Sequence, residues 1–72
     1  MPYTFRMRLE INGESKDVGE VATVAQLLRA LGLDRAPCAV EVNARLVPKA
    51  QHPQQPLHAG DRVEIVTLVG GG

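Results

Sequence analysis

Residues 5–13 read Phe5-Arg6-Met7-Arg8-Leu9-Glu10-Ile11-Asn12-Gly13. Apolar Phe5, Met7, Leu9 and Ile11 alternate with Arg6, Arg8 and Glu10. Period two with one apolar face predicts a strand half buried against a core. Asn12-Gly13 closes the run. Asn-Gly is the favoured pair for a type I′ hairpin turn, because both central residues take positive φ. A short second strand is therefore expected to return through Ser15 to Val18.

Further along, Thr23 fits a helix N-cap, with Gln26 three residues on as in a capping box. Val24, Leu27, Leu28 and Leu31 recur at helical spacing. Gly32 stands where a left-handed C-cap belongs, and Pro37 bars any restart. Cys38, Val40 and Val42 alternate with polar Glu41 and Asn43, which predicts a third strand. Asn43-Ala44 can turn the chain into Leu46-Val47, a short fourth strand ended by Pro48. Lys49 to Pro56 is polar and punctuated by proline, so it reads as a loop or a single helical turn. Gly60-Asp61 then leads into a last strand, Arg62 to Val69. Val63, Ile65 and Thr67 share one face of that strand; Glu64, Val66 and Leu68 share the other. A hairpin, a helix and more strands imply an α+β roll of two layers, a mixed sheet of four to five strands with one main helix across one face.

The chain of 72 residues is short enough for one domain. Its core can supply a net stability of only about 3–5 kcal/mol. Little material is left over for a deep catalytic cleft. Lys and Arg number 8, as do Asp and Glu, giving a formal charge of zero. With no basic stripe and no basic amphipathic helix, neither a nucleic-acid partner nor a membrane partner is expected. Cys38 is the single cysteine, so an intrachain disulfide is excluded, which suits a reducing cytoplasm. Tyr3-Thr4-Phe5-Arg6-Met7-Arg8 interrupts any apolar run near the start, so no signal peptide is expected.

Conventional catalytic groups are sparse, and no metal site is expected. His52 and His58 lie in or beside the proline-punctuated loop and read as solvated residues rather than as bases or ligands. Cys38 falls on the apolar side of its strand and reads as a small buried hydrophobe. Val66 and Leu68 lie opposite Val63 and Ile65, so a helix covering the latter pair leaves them exposed beside the chain end. An exposed apolar patch marks a contact surface; scattered rim residues are the alternative.

The final residues are Gly70-Gly71-Gly72. Glycine loses more backbone freedom on folding than any other residue, so the run adds nothing evident to the fold. It offers a thin thread ending in a carboxylate, able to enter a site where any Cβ would collide. A frayed end or an engineering scar is the alternative. The expected division is a folded body over 1–69 and a flexible tail over 70–72. Extended, Gly70–Gly72 reaches on the order of 10 Å. The carboxylate is an anion near neutral pH, hence a poor electrophile that needs activation before a sulfur or nitrogen nucleophile can attack.

Five segments together resemble the ThiS family, the sulfur carriers of thiamine biosynthesis. They are Thr23-Val24-Ala25-Gln26-Leu27-Leu28, Val40-Glu41-Val42-Asn43, Leu46-Val47-Pro48, Gly60-Asp61-Arg62-Val63-Glu64-Ile65 and Val69-Gly70-Gly71-Gly72. The resemblance runs from Phe5 to Gly72, and MoaD of molybdopterin synthesis is a relative with the same Gly-Gly end. It implies a β-grasp, ubiquitin-like fold and a carrier that is itself no enzyme. A ThiF-like adenylating enzyme would activate Gly72 with ATP and magnesium. Sulfur from a donor enzyme's persulfide would replace AMP, leaving a thiocarboxylate for a ThiG-like thiazole synthase. Gly72 carries over as the acyl site and Gly71 as its required partner; Gly70 matches a more permissive position. No bound cofactor is implied, and a monomer is expected when free. His52 departs from the family, standing where members often carry an aromatic residue. A carrier for molybdopterin or cysteine synthesis, and a ubiquitin-like protein modifier, are the competing readings.

Overall fold

The computed structural model describes residues 6–68. It contains β1 (Arg8–Ile11), β2 (Glu14–Asp17), α1 (Val24–Ala30), β3 (Cys38–Val42), β4 (Arg45–Val47), a 3-10 turn (Lys49–Gln51) and β5 (Arg62–Thr67). These strands form one five-stranded sheet in the order β2-β1-β5-β3-β4. The first and last strands therefore lie side by side at its centre. β1 and β5 run parallel, with Glu10 opposite Arg62 and Ile11 opposite Val63. Every other pairing is antiparallel. The sheet is thus mixed and five-stranded, with α1 against one face: the β-grasp arrangement.

Both predicted hairpins close with two-residue loops. Ile11 faces Glu14 across Asn12-Gly13, whose φ values are 51° and 85°. Val42 faces Arg45 across Asn43-Ala44, at 51° and 69°. Positive φ at both centres is the type I′ signature, and its twist matches that of the flanking strands. β1 begins later than the alternation suggested, at Arg8. Backbone bonds of 2.9 Å from Met7 N–H to Gly19 O and from Val18 N–H to Met7 O still carry the pairing back to Met7. Just beyond β2, the Gly19 N–H donates to Asp17 at 3.0 Å. That bond, aided by the Arg6 guanidinium, holds the Asp17 carboxyl below the ordinary aspartate range.

The helix starts where its cap predicts. Thr23 Oγ1 accepts from Gln26 N–H at 3.2 Å, while Gln26 Oε1 reaches back to Ala22 N–H at 2.7 Å. It stops one residue earlier than its apolar spacing suggested, with Leu31 as C-cap. Gly32, at φ 74°, turns the chain away, and Leu33 N–H bonds back to Leu28 O at 2.7 Å. Val24, Leu27 and Leu28 bury against Leu9, Ile11, Val40, Val42, Val63 and Ile65 from the sheet. No helix among the described residues is long and apolar enough to cross a membrane.

His52 corrects the sequence reading. It is buried, at 7% exposure, and its Nε2–H donates to the Val47 carbonyl at 3.0 Å. The cause is that the loop docks on the helix start. Ala25 N–H donates to His52 O at 3.0 Å, Val24 N–H to Gln55 O at 3.1 Å, and Leu57 N–H to Ala22 O at 2.9 Å. Helix-start N–H groups without intrahelical partners thereby gain acceptors, and His52 is carried inward with the loop. His58 is exposed, as expected. Cys38 is half-buried against the core, its Sγ 3.3 Å from Ala36 O, as the structural reading expected.

Ala44 carries a left-handed conformation that costs an L-residue on the order of 1–2 kcal/mol. Glycine removes that strain but gains freedom in the unfolded chain. Ala44→Gly is expected to raise unfolding stability by about 0.5–1 kcal/mol in urea titration. A lower stability would show that the turn does not limit this hairpin.

Candidate functional site

The end of β5 is the launch point of the chain's last residues. β5 is the central strand, flanked by β1 and β3. On the β3 side its ladder is continuous, from Val42 opposite Val63 to Cys38 opposite Thr67. One bond extends it further, as Leu68 N–H donates to Pro37 O at 2.8 Å. On the β1 side the strand pairing stops at Ile11 opposite Val63. There a side chain takes over from the backbone. Asn12 N–H donates to Val63 O at 2.9 Å, Ile65 N–H donates to Asn12 Oδ1 at 2.8 Å, and Asn12 Nδ2–H donates to Ile65 O at 3.2 Å. The Asn12 amide stands in for the next backbone unit of β1.

The opposite end of β5 is held in a similar way. Asn43 N–H donates to Arg62 O at 2.7 Å, and Arg62 N–H donates to Asn43 Oδ1 at 3.0 Å. Asn43 Nδ2–H donates to Asp61 Oδ1 at 3.0 Å, and Asp61 Oδ2 accepts from His58 N–H at 2.8 Å. Both hairpin-turn asparagines thus serve twice, taking positive φ and clamping the strand that leads to the chain end. Sequence reading placed a turn at each, with positive φ expected at Asn12, and missed the clamps, because each joins residues far apart in the chain.

Val66 and Leu68 are exposed, at 57% and 53%, on the face away from the helix. Leu46 on β4 is more exposed still, at 66%, and was read only as part of a short strand. Its place opposite Glu41 puts it on this same face. Gly70, Gly71 and Gly72, the expected acyl site and its thread, lie outside the described residues, as does Val69.

The ThiS family model matches residues 6–72. This chain belongs to the ThiS family. That family is the one of thiamine-related sulfur carriers to which the motifs pointed. The crystal structure of the thiamine biosynthesis protein ThiS from Geobacter metallireducens has the same fold, with a TM-score of 0.76 and 30% identity. The match covers 92% of this chain and 100% of that one. A thiazole synthase of Paramagnetospirillum magneticum is 44% identical over 66 residues, which are 92% of this chain and 20% of that protein. The ThiS-family chain therefore spans about a fifth of that relative's length. Uncharacterized protein ycf40 of Porphyra purpurea is 34% identical over 64 residues, covering 89% of this chain and 90% of that one.

Asn12→Ala removes two side-chain bonds to β5 and leaves the Ile65 amide and carbonyl without partners. The expected loss is about 1–3 kcal/mol in chemical denaturation. Hydrogen exchange at Ile65 N–H should accelerate more than exchange at Val40. Equal acceleration at both would show that the clamp acts globally, not on β5.

Proposed function

We propose that this ThiS-family chain carries sulfur for the thiazole ring of thiamine, on the carboxyl group of Gly72. The family match, which runs through Gly72, carries this reading. The geometry suits it, since the residues after Leu68 follow the central strand rather than an edge. If extended, the four residues from Val69 to Gly72 reach about 13 Å, enough for the carboxylate to enter a partner's nucleotide pocket while the body stays outside.

The proposed chemistry follows from the carboxylate's charge. It is too weak an electrophile to meet a nucleophile directly. An adenylating partner of the ThiF type uses ATP and magnesium to form an acyl-adenylate, with pyrophosphate leaving. A persulfide sulfur from a donor enzyme attacks the acyl carbon and displaces AMP. Cleavage of the S–S bond by a thiol then leaves the thiocarboxylate on Gly72 and a disulfide on the donor side. Gly71 and Gly70 keep the thread free of side chains. The chain is a substrate throughout, not a catalyst, and the supply of ATP and reduced sulfur places the cycle in the cytoplasm. A thiazole synthase of the ThiG type is the proposed acceptor. The Paramagnetospirillum magneticum relative supports that choice: there a segment resembling this chain lies within a thiazole synthase. Val66 and Leu68 are the proposed docking residues.

Incubation with ATP, magnesium, the adenylating enzyme and a sulfur donor is expected to replace one oxygen by sulfur, read by intact mass. Lysine-linked adducts would instead favour a protein modifier. Deleting Gly72 should abolish the exchange and leave Tm unchanged; a large fall in Tm would contradict a tail outside the core. Val66→Asp or Leu68→Asp should weaken binding to the adenylating enzyme about tenfold with the fold intact. Undiminished binding of both would remove them from the contact.

A further inference from the structure

Met1-Pro2-Tyr3-Thr4-Phe5 stands in front of the stretch that the ThiS family model matches, which begins at Arg6. These five residues, which lie outside the described ones, hold the chain's one Phe and one Tyr, and it has no Trp. Among the described residues, the buried apolar core is made of Leu, Ile and Val alone. Where the segment joins the fold, that core is open. A groove of about 420 Å³ lies beside Arg6 and Met7. Its lining includes Met7, Val21, Ala22 and Ala59, and Gly19 adds bare backbone. Val21 belongs to the core and Met7 packs against it, so the groove is an uncovered side of the core rather than a separate surface. Arg6 and Glu20 also line it, and their opposite charges give a charged ligand no net attraction. The attraction on offer is apolar.

The backbone leads the segment to this groove. Met7 N–H donates to Gly19 O and Val18 N–H to Met7 O, both at 2.9 Å, while Gly60 N–H donates to Arg8 O at 2.8 Å from the other side. The chain at Met7 and Arg8 is therefore held on both flanks. Leu9 and Ile11 point into the core, and Met7 follows them in alternation. The next side chain on that face is Phe5, about 7 Å further back along an extended chain. It is bonded directly to Arg6, which itself lines the groove. A side chain so tethered meets the groove at an effective concentration of about a millimolar or more. Any separate ligand would have to displace it.

We infer that this groove is the seat of the chain's own N-terminal segment, with the Phe5 ring against Met7, Val21 and Ala59 and with Tyr3, next on the same face, across the outer side. An aromatic side chain brings about 150–250 Å² for burial, to a domain too small to bury much on its own. The segment is then a lid over the open side of the core, supplied by residues outside the matched family stretch. β1 and β5 run parallel, so the groove at the start of β1 and the chain end beyond β5 lie at opposite ends of the sheet. The lid closes the core without engaging the end proposed to carry sulfur.

Nuclear magnetic resonance of the intact chain tests this directly. Through-space contacts are expected from the Phe5 ring to the methyl groups of Val21 and Ala59, with those methyl signals shifted upfield by the ring. Phe5→Ala should abolish the upfield shift, lower Tm by about 4–8 °C and raise the fluorescence of an anilinonaphthalene dye that reports exposed apolar surface. Phe5→Leu should lose the ring shift but recover most of the Tm. Ala59→Asp, which places a charge in the groove, should lower Tm by itself and leave Phe5→Ala little further to remove. An intact chain without contacts between Phe5 and Val21 overturns the lid, and so does Phe5→Ala with Tm and dye signal unchanged. Val21 methyl signals that move with chain concentration would give the groove to a second copy and overturn it equally.

Discussion

The strand Arg62–Thr67 lies between a parallel neighbour and an antiparallel one, and its hydrogen bonds tie two separate hairpins into a single sheet. Without it, β1-β2 and β3-β4 would be two-stranded ribbons, each marginal in water on its own. Val63 and Ile65 then plug the centre of the core, between Leu9 and Ile11 on one side and Val40 and Val42 on the other. The helix closes that core from one face only. Everything else is support for this strand: Asn12 extends its bonding where β1 ends, and Asn43 fixes its start.

A second constraint is the helix start. α1 has only 7 residues, too few to be stable without tertiary contacts. Thr23 satisfies one of its early N–H groups, and the loop after β4 contributes acceptors for Val24 and Ala25. This explains why a polar, proline-punctuated segment folds down onto the body. It also explains the burial of a histidine within it. Once His52 O accepts from the helix, its ring lies over the end of β4, and its Nε2–H satisfies Val47 O. A segment of Lys, Gln and Pro advertises solvent in the sequence; only the tertiary contact makes it a wall of the core.

The legible parts were those governed by neighbouring residues. Asn12-Gly13 forced a turn whatever the rest of the chain did, and Thr23, Gln26 and Gly32 marked a helix by local hydrogen bonding and φ. Alternation assigned faces correctly along β1, β3 and β5, and it placed Val66 and Leu68 in the open. What could not be read was anything set by long-range register. The parallel pairing of the first and last strands, the asparagine clamps and the opposition of Glu41 to Glu64 all join residues with no local pattern linking them. At the candidate site, the family motif and the exposed side of β5 were legible, whereas the place of Leu46 on that face required the register of β3 with β4.

The placement of the last strand bears on how such a protein would be handled by a partner. A chain end drawn into an enzyme's pocket transmits pull to the element it follows. An edge strand has one ladder and can peel from it bond by bond. β5 has β3 on one side and β1 with the Asn12 amide on the other, so a pull along its axis loads two rows of hydrogen bonds together. The same pull meets Val63 and Ile65 locked among core side chains. A body this small has little net stability in reserve. Leading the chain end from a strand bonded on both sides, rather than from an edge, would let that end be engaged without unravelling the fold that presents it.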